Sequence, residues 1–284
     1  NLPDVAVVPS EHFNTVLYSG NSSTNAITGV GFQPDFTWFK CRSETRSHSL
    51  VDSVRGFNGT SGRVIQSAST NAEWESAYIN SLNSDGFTVS GSENYINNSS
   101  HTYVAWNWKA NGSGSSNTAG SLNSTVSVNA DAGFSIVKYV GNQNSAQTVG
   151  HGLGVVPEMI IVKQYDLTKQ WAVYHKAMGN THSMYLHLTS PQYDNVNRWN
   201  DTTPTSALFS VGTSDETNYT NDNHIAYCFH SVDGYSKVGS YEGNANADGS
   251  FVYTGFRPAY ILIKNMDSAE PWVIQDTARS PFNP

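Results

Sequence analysis

Hydrophobic positions in this chain fall into short runs, and two of those runs alternate strictly. In "YVAWNWK" (103–109), Val104, Trp106 and Trp108 stand on one side, and Ala105, Asn107 and Lys109 on the other. "HIAYCFH" (224–230) repeats the alternation with Ile225, Tyr227 and Phe229 on its apolar side. Period two with aromatic and β-branched residues predicts half-buried strands. "FTWF", "MIIV" and "YILI" are unbroken apolar runs, too short for helices and bounded by turn signals, and they predict central strands. "NSDG" (83–86), "DAG" (131–133) and "ADG" (247–249) punctuate the runs as turns. The best helical pattern lies at 70–82, where Trp74, Tyr78 and Leu82 share a face, and predicts one short helix or a loop.

The runs recur in a larger unit. "FNTVLYSGN", "FSIVKYVGN" and "YSKVGSYEGN" begin at Phe13, Phe134 and Tyr235, each carrying Tyr-x-Gly-Asn. A proline follows in each, Pro34, Pro157 or Pro258, and a lysine six residues later, Lys40, Lys163 or Lys264. Twelve residues beyond each lysine stands a polar residue, Asp52, His175 or Asp276. Second halves match twice: "DGFTVSG" (85–91) with "ALFSVGT" (207–213), and the two alternating strands with each other. A spacing of about a hundred residues exceeds a solenoid unit, so each repeat is domain-sized. The fold predicted is all-β: tandem antiparallel β-sandwich repeats, jelly-roll-like, two complete and a partial third. The expected boundaries are an extension at 1–12, repeat 1 at 13–110, a flexible Gly/Ser/Asn-rich linker at 111–132, repeat 2 at 133–233 and partial repeat 3 at 234–284. A chain that starts at Asn1 and stops inside a repeat is expected to be part of a longer polypeptide.

The repeated phrase reads architecturally. Gly29, Gly31, Gly152 and Gly154 permit tight turns. The proline fits the first residue of a strand, and the lysine is expected to mark the strand's exit to solvent. Asp52 with Arg55, and Asp276 with Arg279, are expected to form an internal pair that clamps a loop, or a ligand-facing pair; repeat 2 has His175 and Met178 there.

A net charge of −8 with 13% charged residues argues against a nucleic-acid partner. No apolar stretch is long enough for a membrane helix, so no membrane insertion is expected. Cys41 and Cys228 are expected to be buried free thiols.

Nucleophile elbow, P-loop and zincin patterns do not occur, and no enzyme activity is expected. The two cysteines lack metal-site spacing, and the six histidines that gather in repeat 2 are expected to be solvated or core residues, with a histidine metal site as the alternative. Glu73 and Glu75 flank Trp74, but a glycosidase needs its carboxylates across a cleft. No cofactor is expected; the acidic loop 213–223 leaves structural calcium as an alternative. Trp74, Tyr78, Trp171, His175 and Trp199 are the candidate ligand-binding residues, because aromatics at loops can stack on sugar faces.

The phrases "GVGFQPDFTWFK", "DSVRG", "YVAWNWKA", "GHGLGVVPEMIIVK", "IAYCF" and "GFRPAYILIKNMD" resemble a repeat family found in large structural proteins of tailed bacteriophages, notably those of marine bacteria and cyanobacteria. The resemblance implies a virion location, homo-oligomerisation (a trimer is one expected form) and contacts with other virion proteins. A tail-fibre or surface-appendage role in adhesion to host-surface glycan is the leading expectation. Capsid decoration or a head fibre without ligand is the alternative, and a glycan depolymerase ranks last.

Overall fold

The computed structural model describes residues 7–280. Repeat 1 contains β1 (Phe13–Ser19), β2 (Asn25–Ile27), β3 (Phe36–Cys41), β4 (Ser49–Asp52) and β5 (Phe57–Asn58). It continues with β6 (Ser61–Gln66), β7 (Trp74–Ser76), β8 (Ile79–Asn83), β9 (Gly86–Val89) and β10 (Thr102–Trp108). Repeat 2 is built from β11 (Ser115–Asn117), β12 (Ser124–Asn129), β13 (Phe134–Val140), β14 (Gln147–Gly150) and β15 (Met159–Gln164). After these come β16 (Trp171–His175), β17 (His182–Ser183), β18 (Tyr193–Asp194), β19 (Leu208–Val211) and β20 (Asn223–Phe229). Repeat 3 contributes β21 (Tyr260–Ile263) and β22 (Val273–Asp276).

Both complete repeats are antiparallel two-layer sandwiches with one topology. The large sheet of repeat 1 runs β1-β10-β3-β4-β6-β5, and that of repeat 2 runs β11-β12-β13-β20-β15-β16. The shared core of four is therefore β1-β10-β3-β4 in one and β13-β20-β15-β16 in the other. A small sheet, β2-β9-β8 or β14-β19, covers one face of each. In repeat 3, β21 pairs with β22 in the manner of β3 with β4.

The alternating strands are buried on both faces rather than one. In β10, Tyr103 and Ala105 enter the core beneath the small sheet, while Val104, Trp106 and Trp108 enter a second core. In β20, Ala226 and Cys228 face inward, and Ile225 and Tyr227 join that same second core. This second cluster holds residues of repeats 1 and 2, with Tyr260, Met266, Trp272 and Ile274 of repeat 3 packed against it. The correction has a simple cause: small residues such as Ala105 and Ala226 read as a weak face, yet they are the ones that let a covering sheet approach.

Two other expectations change, and one holds. The segment 70–82 is not helical: β7 pairs with β6, placing Trp74 opposite Val64, and β8 pairs with β9. The Gly/Ser/Asn-rich stretch expected to be a flexible linker carries β11 and β12, and β12 joins the edge of repeat 2 along six residue pairs with β13. Its polar residues are used there, for Ser124 Oγ donates to the Gly150 carbonyl and Ser127 Oγ accepts from Asn111 N–H. Cys41 and Cys228 are buried free thiols.

The Tyr-x-Gly-Asn motif locks the two layers together. Tyr18 stacks on Tyr103 at 5.1 Å and donates to the Ile96 carbonyl; Tyr139 stacks on His224 at 5.0 Å and donates to the Thr217 carbonyl. The asparagine's N–H bonds the side chain of Asn97 in one repeat and Asn218 in the other. A Cβ at Gly20 would lie 2.2 Å from the Asn98 carbonyl oxygen, and one at Gly141 would lie 2.3 Å from that of Tyr219. Gly141→Ala is accordingly expected to cost about 1–3 kcal/mol, since neither backbone can yield cheaply. Urea denaturation of the full chain measures this, and a loss within experimental error would show that the loop relaxes.

Candidate functional site

The glycine–proline phrase places each following strand identically. Asp35 N–H bonds the Trp108 carbonyl and Glu158 N–H bonds the Phe229 carbonyl, both at 2.8 Å. Gly29, Gly31, Gly152, Gly154 and Gly255 all have φ between 73° and 87°, a region L-residues rarely occupy. Pro34 and Pro157 are buried and Pro258 half-buried.

The lysines do not exit to solvent. Each folds back over the loop that follows its strand, donating to the carbonyls one and four residues ahead. Lys40 Nζ bonds Cys41 and Glu44, Lys163 bonds Gln164 and Leu167, and Lys264 bonds Asn265 and Ser268. Two of the three also reach another repeat: Lys163 bonds the Thr70 carbonyl at 3.2 Å, and Lys264 bonds the Thr189 carbonyl at 3.0 Å. Lys163 is fully buried, and burial pulls its pKa down to about 7. An ammonium can be read as solvent-seeking only if nothing in the sequence promises a cage of carbonyls, and backbone acceptors leave no sequence trace.

The Asp–Arg pairs are clamps inside the junctions between repeats. Arg55 Nε donates to Asp52 Oδ2 at 2.6 Å, with both side chains inaccessible to solvent. Arg55 also bonds Glu73 at 2.9 Å and the carbonyls of Leu50 and Arg63. Tyr227 of repeat 2 donates to the same Asp52 oxygen at 2.8 Å. Repeat 3 copies the arrangement: Arg279 Nε bonds Asp276 Oδ2, which accepts Trp106 Nε1 of repeat 1 at 3.1 Å. Trp106 and Tyr227 occupy the same position on β10 and β20. Met178, the residue in repeat 2 that matches Arg55, is buried in the shared core.

A second set of junction bonds runs through tryptophans eight residues after the lysines. Trp171 Nε1 donates to the carbonyls of Gln66 and Ser69 in repeat 1, each at 3.0 Å. Trp272 Nε1 donates to the Tyr185 carbonyl of repeat 2 at 2.9 Å. Backbone bonds accompany them, from Glu73 N–H to the Tyr165 carbonyl and from Gln192 N–H to the Met266 carbonyl. Together these contacts step from repeat 2 to repeat 1, from repeat 1 to repeat 3 and from repeat 3 to repeat 2. The clamp is made at the first two of these junctions and the lysine and tryptophan bonds at the first and third, and together they return to their start, so the repeats form a ring around the shared core.

The candidate ligand residues divide. Trp74 and Tyr78 are exposed, and the Tyr78 ring lies against Gly91. His175 is half-buried at the end of β16, where Nδ1 accepts from Ala177 N–H. Trp171 and Trp199 are buried core residues and present no face to a ligand. The Trp–ligand reading fails at these two because indole serves equally well as an internal wedge with one donor. The structure does not bring the five into one cleft: Trp74 and Tyr78 belong to repeat 1, and the other three to repeat 2. Glu73 is held by Arg55 and Arg63 and Glu75 by Asn58, so this carboxylate pair is engaged in structure. Among the described residues no three His, Cys, Asp or Glu side chains are grouped to hold a metal. In the acidic loop, Asp215 pairs with Lys169 and Glu216 with Arg198.

The family model for a domain of unknown function, DUF7483, matches residues 8–284. The chain belongs to that family. No curated protein and no solved structure matches it.

His224 gives the assembly a pH dependence. Its ring, stacked on Tyr139, accepts from Tyr219 N–H at Nε2 (3.2 Å) and meets the Asp222 carbonyl at Nδ1 (3.1 Å). Burial lowers its pKa to about 4, and a proton on Nε2 would oppose the Tyr219 N–H. Unfolded, the ring takes up its proton near the ordinary value of 6.5. Between those values the unfolded chain binds more protons, so stability falls as pH drops through that window. This group's share reaches about 3 kcal/mol. Burial raises the pKa of Glu73 and of Asp35, and these carboxyls act in the opposite direction. His224→Tyr, which installs the residue found at Tyr103, is expected to lower the slope of the pH 4–7 stability profile in urea titrations without abolishing it, since His48, whose pKa burial lowers to about 3, acts in the same direction. An unchanged slope would assign it to other groups.

Proposed function

We propose that the protein is a non-enzymatic structural component of a tailed-phage virion, an appendage of tail-fibre type that carries surface loops to a host glycan. The observation that supports this reading most is where the repeated residues are spent. Lys163, Lys264, Asp52, Asp276 and the junction aromatics bond one repeat to the next, as expected of a chain whose work is to build a rigid body. The resemblance to phage structural proteins supplies the virion, and Trp74 and Tyr78 supply exposed aromatic surface for stacking on sugar rings.

Two measurements test the reading. Immunogold labelling of phage particles, with antibody raised against this chain, is expected to mark a tail appendage. Labelling over the capsid lattice would favour decoration instead. On a glycan array the chain is expected to bind, and Trp74→Ala with Tyr78→Ala to weaken binding about tenfold or more. Undiminished binding by the double variant would remove these aromatics from the site. Shortening of host polysaccharide by the purified chain would overturn the non-enzymatic assignment.

A further inference from the structure

Repeat 3 keeps the motifs of the other two but not their surroundings. Tyr241 matches Tyr18 and Tyr139, which are buried, yet it is 52% exposed. Gly243 matches Gly20 and Gly141, yet a Cβ there would meet nothing within 4 Å. Ile261 and Val273 match Ile160 and Ala172, both fully buried, and are 39% and 42% exposed. Phe251, at the place of Ile27, is 89% exposed. Strand β3 is flanked by β10 and β4, and β15 by β20 and β16. Strand β21 pairs with β22, and among the described residues no strand pairs with its other edge. An open edge beside an apolar face is a template for strand addition.

The ring of junctions is open at the corresponding point. Lys40 and His48 match Lys163 and Trp171, which reach carbonyls of another repeat. In repeat 1 they instead line a cavity of ≈ 310 Å³ with Trp38, Trp106, Leu186 and Trp272. The Trp38 indole donates to His48 Nδ1 at 2.7 Å, so the imidazole presents its other nitrogen to that space. By the relation that carries repeat 3 to repeat 2 and repeat 2 to repeat 1, the group facing Lys40 and His48 belongs to repeat 3.

We propose that the open edge of β21, the exposed face of repeat 3 and the Lys40–His48 cavity form one docking surface, and that its occupant is the second half of a repeat. That occupant is polypeptide of the kind found at 57–110 and 180–230. It adds a strand beside β21 in the role of β10 and β20. Its small sheet covers Tyr241, Ile261 and Val273, and its loop lays carbonyls over Lys40 and His48. It is supplied in cis, as the continuation of repeat 3, because in repeats 1 and 2 the same half follows Arg55 and Met178 directly. Docked there, it completes a three-membered ring in which a lysine bonds a carbonyl of the next repeat at every junction, while the Asp–Arg clamp stays confined to the two junctions that have it.

Joining residues 57–110 to the chain after Ser280, in place of residues 281–284, and in a second variant residues 180–230, tests the proposal. At least one extended chain is expected to melt at higher temperature, remain monomeric and slow hydrogen exchange along β21 by about a hundredfold or more, as burial of an edge strand does. Gly243→Ala is expected to leave the original chain unchanged and to lower the melting temperature of the extended one, because the added half brings up the carbonyl that crowds Gly20 and Gly141. Rapid proteolysis of both added halves with β21 exchange unaltered would overturn the proposal. So would sedimentation of the original chain as a dimer with β21 already protected, which would make the occupant a second molecule.

Discussion

Asp52→Ala will destabilise the protein by about 3–5 kcal/mol, the range for stripping the partner from a buried charge. The Asp52 carboxylate receives four bonds: from the N–H groups of Val54 and Arg55, from Arg55 Nε and, across the junction, from the Tyr227 hydroxyl, with Arg55 bound through both the main chain and the guanidinium. Removing it leaves a guanidinium without solvent access and only Glu73 as counter-charge. It also leaves a buried phenol without its acceptor. The double change Asp52→Ala with Arg55→Met should recover more than half of the loss, because it removes the orphaned charge and installs the side chain that repeat 2 carries at Met178. Asp276→Ala should cost less, since Arg279 is a quarter exposed and can rehydrate. Urea denaturation of the full chain decides the order. Equal losses for Asp52→Ala and Asp276→Ala would show that burial of the arginine is not what sets the cost.

What the sequence made legible was whatever repeated with fixed spacing. Three Pro–Lys intervals and three polar residues twelve places on identified strands β3, β15 and β21 and their partners, and glycine–proline punctuation located where each begins. What it hid was the destination of each face. Trp106 and Tyr227 read as the inner side of a half-buried strand, yet they point into a neighbouring repeat, and periodicity records only that a face is apolar, not whose core it joins. Lys163 read as a solvent marker because its acceptors are main-chain carbonyls, which any sequence supplies. Segment 111–132 read as linker because strand edges bonded through Ser and Asn lack the apolar signal. The Asp52–Arg55 clamp was legible as a pair, whereas its third member, Tyr227, lies 175 residues away in sequence. Trp74 and Tyr78 met the test of exposure; Trp171 and Trp199 did not, since a single sequence cannot separate a stacking platform from a wedge.

That wedge is the other place where one side chain should decide the architecture. Trp171→Ala is expected to cost about 3–5 kcal/mol, the usual range for removing a buried large aromatic. The indole is fully buried, belongs to the shared core and spends its one donor on the Gln66 and Ser69 carbonyls of repeat 1. Its loss opens a cavity at the junction and frees two carbonyls beside the Thr70 carbonyl that holds Lys163. Trp171→Phe separates the contributions: it keeps most of the apolar volume and removes the donor, so it should recover the larger part of the loss. Because the indole ties repeat 2 to repeat 1, the damage should also be local. Hydrogen exchange is expected to quicken in the 66–70 loop before it does in β13 and β20, whose bonds lie within repeat 2. Simultaneous acceleration throughout would mean that the ring unfolds as one unit, and that the repeats, despite each having a core beneath its own small sheet, do not stand alone.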